Sequence, residues 1–132
     1  MIELIKPHGK ILIDGYCTED EIDIYKNKCN HYVSYVLNDR QLCDIELILN
    51  GAFSPLDGFM CQDDYESVLN RNRLKNNTVW PMPIILAIDL ITSKSVKIND
   101  NIALKDKEGY LIAILEIKDI WKYNKEIEAE KV

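Results

Sequence analysis

Between Gly51 and Met60 the chain reads G-A-F-S-P-L-D-G-F-M, and no other stretch so narrows what its backbone can do. Two glycines and a proline limit the turns available, while Phe53, Leu56, Phe59 and Met60 carry enough apolar surface to require burial. The run supplies no chemistry of its own. It reads as a packed connector, a segment whose shape matters more than its functional groups.

Helix signals flank it. Thr18 followed three residues later by Glu21 is a capping box, and Ile22, Tyr25 and Cys29 recur behind it at helical spacing, which predicts an amphipathic surface helix. Asn38 with Gln41 repeats the device. There the apolar residues Leu42, Ile45, Leu47, Ile48 and Leu49 cover more than one helical face before an Asn50-Gly51 stop, so this second helix is expected to be central. A third begins at Asp63 or Asp64, with acids in its first turn and Arg71 and Arg73 near its end, as the helix dipole favours.

The remaining segments read as β. The short apolar runs Ile2 to Ile5 and Ile11 to Ile13 surround a Pro7-His8-Gly9 turn, and His31 to Leu37 is rich in tyrosine and valine. From Thr78 the pattern turns to β again. Pro81 and Pro83 cannot donate to a ladder, which places Val79 to Ile88 at an edge, a strand start or a bulge. Asn99-Asp100 and Lys107-Glu108-Gly109 are turn signals, and the second joins Ile102 to Lys105 with Tyr110 to Ile120 as a hairpin. The sum is an α+β domain with a small, strongly bent, mostly antiparallel sheet and flanking helices. With no repeat, low-complexity tract or glycine-serine linker, residues 1–132 read as a single domain.

At 132 residues the chain is long enough to bury roughly two thirds of its unfolded surface. Its apolar stretches, such as Ile84 to Ile88, are far too short to span a bilayer, and the N-terminus lacks the basic and long apolar regions of a secretory signal. A cytoplasmic location with no membrane partner is expected. Cys17, Cys29, Cys43 and Cys61 include no C-x-x-C pair and read as free thiols. The formal net charge of -6 opposes nucleic-acid binding unless basic groups gather on one face. Only Arg71, Arg73 and Lys75 cluster, among Asn72, Asn76 and Asn77, and that composition fits a solvated helix end and turn.

Catalytic patterns are not found. Ser54 lies between phenylalanine and proline, no phosphate-cradling glycine motif appears, and the Glu19-Asp20-Glu21 and Asp63-Asp64 groups fall at helix starts, where the dipole accounts for them. No catalytic, cofactor-binding or metal site is assigned. His8 in its tight turn reads as capping backbone groups or contacting a neighbouring domain rather than binding a ligand, and Trp80 before Pro81 as a core or interface residue.

Several segments together resemble one family. Lys6-Pro7-His8-Gly9, Cys43-Asp44-Ile45-Glu46-Leu47-Ile48, the Gly51 to Met60 run, Asp64-Tyr65-Glu66-Ser67-Val68, Arg73-Leu74 and Val79-Trp80-Pro81-Met82-Pro83-Ile84 follow in the order and spacing of the N-terminal domain of ATP sulfurylase, or sulfate adenylyltransferase. Two positions depart from it: relatives often carry a second glycine after the one matching Gly9, and an Asp-Gly turn where this chain has Asn76-Asn77. Asparagine also tolerates the left-handed backbone. The resemblance implies a PUA-like pseudobarrel and a role in an enzyme that joins sulfate to the α-phosphate of ATP, with Mg-ATP needed by the full-length enzyme.

In that family the catalytic groups lie in a glutamine-x-arginine-asparagine-proline segment and nearby histidines of a second domain. Neither is present here, since Asn70-Arg71-Asn72-Arg73 lacks the glutamine and proline. Tyr123, Lys125, Glu128, Ala129 and Val132 look like the start of the segment that runs on toward the catalytic domain in relatives. The resemblance thus implies a domain inert by itself, cut before its catalytic partner, from the single enzyme or a bifunctional synthetase of phosphoadenosine phosphosulfate. Its partners would be the catalytic domain of the same polypeptide and other copies in a homo-oligomer. His8, Phe53, Pro55, Leu56, Phe59, Trp80 and Pro81 are the expected interdomain packing residues. A stand-alone PUA-like module that binds RNA or a protein is the rival reading.

Overall fold

A computed structural model of the chain describes residues 15–122 together with 129 and 130. The expected strands at Ile2 to Ile5 and Ile11 to Ile13 lie outside these residues, as do His8 and most of the tail. Eight elements follow in order among the described residues. Helix α1 spans Glu19–Lys28 and runs into a single 3-10 turn at Cys29–His31; β1 is Val33–Val36, α2 Asp39–Leu49, α3 Gln62–Arg71, α4 Leu90–Lys94, β2 Asn101–Lys105 and β3 Leu111–Glu116.

Both capping boxes form where the sequence sets them. The Thr18 amide and hydroxyl both donate to Glu21 Oε1, at 3.4 and 2.9 Å. At α2 the exchange is reciprocal: the Gln41 amide donates to Asn38 Oδ1 at 2.8 Å and the Asn38 amide to Gln41 Oε1 at 3.0 Å. Each satisfies donors that a helix start leaves orphaned. Helix α1 stays at the surface with no buried residue of its own, and of its expected apolar stripe only Cys29, just past its end, is buried.

Helix α2 is central, for it faces two hydrophobic clusters at once. Ile48 joins Leu56, Met60, Tyr65, Val68, Leu74, Trp80 and Ile84 in the first. Ile45 joins Leu37, Val96, Ile102, Leu104 and Ile117 in the second, which underlies the sheet. The ring of Phe59 packs against both. Gly51, buried and at φ 84°, turns the chain out of α2 in the left-handed region that glycine enters without penalty. Gly15 is required for a different reason. Its amide donates to the Leu49 carbonyl at 2.9 Å, and a Cβ there would lie 2.8 Å from Leu49 Cδ2 and 3.1 Å from Leu49 Cα.

The sheet corrects one expectation. Its order is β1-β2-β3, with β2 and β3 antiparallel but β1 and β2 parallel, so the three strands are mixed rather than mostly antiparallel. All of α2, α3 and α4 intervene between β1 and β2, which gives the chain room to return in the same direction. The hairpin is as the turn residues predict: Gly109 sits at φ 91°, and Asp106 Oδ1 accepts from the amides of Glu108 and Tyr110 at 2.9 Å each.

A second correction concerns Val79 to Ile88, which forms no ladder strand; Val79 makes one isolated bridge with Arg73. With Pro81 and Pro83 lacking N–H groups, the segment is held through other bonds. The Ile84 carbonyl accepts from the Met60 amide at 2.8 Å, and the Ala87 carbonyl accepts from Gln41 Nε2 at 2.9 Å and the Tyr35 hydroxyl at 3.2 Å. Helix α4 was not anticipated, although Asp89 caps it by accepting from the Thr92 amide at 2.7 Å.

Candidate functional site

The connector earns its shape from its own backbone. After Gly51 the Phe53 amide donates to the Leu47 carbonyl at 3.0 Å and the Leu56 amide to the Phe53 carbonyl at 2.9 Å. The buried Ser54 hydroxyl donates to the Gly51 carbonyl at 2.6 Å, and the Ser54–Pro55 peptide is cis. These bonds bring Phe53 edge-on to Trp80, with ring centroids 5.9 Å apart at 83°. Such edge-to-face contacts add about 0.5–1.5 kcal/mol beyond the area they bury.

The expected packing residues therefore divide. Leu56 and Trp80 are buried in the first cluster, so their side chains form this domain's own core. Phe53, Pro55 and Phe59 are half-buried, and Pro81 is exposed. Beside Trp80, Val79 is 49% and Met82 47% exposed, which leaves apolar surface outside where the indole goes inside. Sequence reasoning passed over Val79 and Met82. Alternation would not have named Met82, which lies two residues from the buried Trp80, because the prolines on either side of it break the strand pattern.

The basic cluster is engaged with the turn after α3. Arg71 donates from Nε to Ser67 Oγ and from Nη1 to Asn77 Oδ1, both at 2.8 Å, and from Nη2 to the carbonyls of Leu74 and Lys75 at 3.2 and 3.4 Å. Arg73 Nη1 donates to the Asn77 carbonyl at 2.9 Å. Asn72 at φ 54° and Asn77 at φ 73° take the left-handed positions of this turn, and Asp64 Oδ1 accepts from the Lys75 amide at 2.9 Å. The two guanidinium groups that could have held an anion are engaged with side chains and carbonyls of helix and turn.

Electrostatics near α3 are unfavourable to nucleophilic chemistry. Burial pushes the Cys61 thiol up, the carboxylates of Asp119 and Asp64 push it the same way, Lys75 opposes them with a smaller effect, and Asp63 adds the least. A thiol so placed stays protonated at neutral pH. Burial also raises Asp44, opposed by Arg40. Among the described residues no group of three or more His, Cys, Asp or Glu side chains could hold a metal ion, the four cysteines are unpaired, and no helix is long and apolar enough to cross a membrane.

One contact that the sequence did not suggest ties the end of the sheet to α3. Asp119 Oδ2 accepts from the Gln62 amide at 2.9 Å, and the ring of Trp121 lies against Tyr65 with centroids 5.6 Å apart at 48°. Trp121 Nε1 is buried and meets no acceptor among the described residues.

A family model described as PUA-like domain matches residues 5–132. The chain is similar to the sulfate adenylyltransferase of Eremothecium gossypii, 42% identical over 130 residues that make up 98% of this chain and 26% of that protein. It is likewise similar to the sulfate adenylyltransferase of Saccharomyces cerevisiae, at 43% identity over 96% of this chain and 25% of the relative. Among solved structures, the hexameric APS kinase from Thiobacillus denitrificans superposes with a TM-score of 0.81 at 31% identity, covering 92% of this chain and 24% of that one. The chain thus spans about a quarter of the length of the relatives it matches. On the match across residues 5–132, this chain belongs to the PUA-like domain family and corresponds to the N-terminal region of sulfate adenylyltransferases.

Proposed function

We propose that this chain is the N-terminal, non-catalytic domain of a sulfate adenylyltransferase, in which it supports the catalytic domain that forms adenosine 5′-phosphosulfate and pyrophosphate from ATP and sulfate. The observation that carries this reading is the match of nearly the whole chain to about a quarter of each relative. In this reading Val79, Pro81 and Met82, with the half-buried Phe53 and Pro55, present the surface on which the catalytic domain rests. Leu56, Phe59 and Trp80 keep that surface stiff from beneath, and His8, outside the described residues, stays among the residues proposed to meet the catalytic domain. Mg-ATP is then a requirement of the parent enzyme and not of this domain. The parent is an oligomer, a reading supported by the hexameric assembly named for the Thiobacillus protein, and it works in the cytoplasm.

Two measurements test it. Pyrophosphate release from Mg-ATP and sulfate by the isolated chain stays at background, and turnover would overturn the reading. Joined to the catalytic region of the Saccharomyces cerevisiae relative, the chain carrying Met82→Asp lowers the melting temperature of the joined protein by a few degrees, as a loss of about 1 kcal/mol of apolar packing does, while the isolated domain is unchanged. Equal effects on both would place Met82 in this domain's own stability instead.

A further inference from the structure

The five residues after β3 cross from one hydrophobic cluster to the other. Ile117 is 5% exposed and belongs to the sheet's cluster, while Trp121 packs on the cluster of α3. At its start this strap is paired with the Asn99-Asp100 turn: the Ile117 amide donates to the Asp100 carbonyl at 2.9 Å, and the Asn99 amide to the Ile117 carbonyl at 2.8 Å. Its far half has no ladder. It is held by Asp119 on the Gln62 amide at 2.9 Å and by Trp121 against Tyr65.

We propose that Asp119 and Trp121 form a latch, which fixes the point at the N-terminal end of α3 from which the chain beyond residue 121 departs. Three features make this more than routine packing. The carboxylate of Asp119 reaches a first-turn amide of a helix distant in sequence, where charge and helix dipole agree. Asp63 and Asp64 occupy the same helix start, so a third acid there is tolerated only while its hydrogen bond and the dipole outweigh their repulsion. Trp121 closes with its buried N–H lacking an acceptor among the described residues, so opening returns that donor to water. The closed state is therefore favoured by Asp119 and opposed at Trp121, the arrangement of an element with two accessible states.

The latch belongs to this domain and does not depend on the proposed enzymatic context, so its test is independent of the activity assay. The two tryptophans of the chain give two indole N–H resonances, and loss of one in Trp121→Phe assigns them. In the intact chain, Asp119→Ala speeds hydrogen exchange of the Trp121 indole about tenfold, as a local opening does, and leaves the Trp80 indole within about twofold. Asp119→Asn, which keeps an acceptor oxygen but not the charge, gives an intermediate rate and serves where the alanine variant fails to fold. Trp121 exchange unchanged in the variant that folds, or both indoles accelerating together, would overturn the proposal.

Discussion

Arg71 makes four hydrogen bonds within a single turn, so its side chain does the work of a C-terminal cap. A lysine has one ammonium and no planar fork, and cannot reach Ser67, Asn77 and the Leu74 carbonyl together. Arg71→Lys is expected to destabilise the domain by about 1 kcal/mol in urea denaturation, a modest figure because the group is exposed and water replaces part of what is lost. Trp80 stands at the other extreme. Buried in the first cluster and edge-on to Phe53, it leaves a large void when truncated, and Trp80→Ala is expected to cost roughly 3–5 kcal/mol, enough to unfold a marginal domain at ambient temperature. Trp80→Phe keeps the aromatic contact and should remain folded.

Elements defined by local chemistry were the legible ones. Asn38 with Gln41 and Thr18 with Glu21 name helix starts because the bonds that cap them close within four residues, and Asn38→Ala is expected to cost about 1 kcal/mol in the same denaturation. The hairpin was legible for the same reason, since Asp106 and Gly109 shape its turn from within. Strand direction between β1 and β2 was not, because it is decided by where the chain lies after three helices. Nor was the state of Val79 to Ile88, whose carbonyls are met by Gln41 and Tyr35, side chains remote in sequence. Of the expected packing residues, the pattern identified the apolar ones but not which faced inward. Helix α4 was missed because five residues carry little periodicity. Its cap is nevertheless titratable: bonds from Thr92 hold Asp89 below its ordinary value of 3.8. A lowered carboxyl stabilises the folded form above the unfolded pKa and loses that contribution as pH falls through the folded one. Thr92 amide protection, followed by hydrogen exchange, should therefore be steady near neutrality and decline only below about pH 4.

For the whole molecule, acidity and the engagement of Arg71 and Arg73 with their own turn bear on the rival reading as an RNA-binding module. Titrated with single-stranded and structured RNA at two salt concentrations, the chain should show no tight, salt-dependent association, since that dependence needs cations free to displace counterions. The arrangement of the interior has a different outcome. Among the described residues Phe59 is the one ring shared by both hydrophobic clusters, so the sheet and the helical half report on one another partly through a single side chain. Replacing it with alanine should loosen the cooperativity of thermal melting, visible in calorimetry as a broadened transition whose van't Hoff enthalpy falls below the calorimetric one. A domain built this way couples its halves through that ring as well as through α2, so loss of the ring weakens one of the routes by which a disturbance crosses.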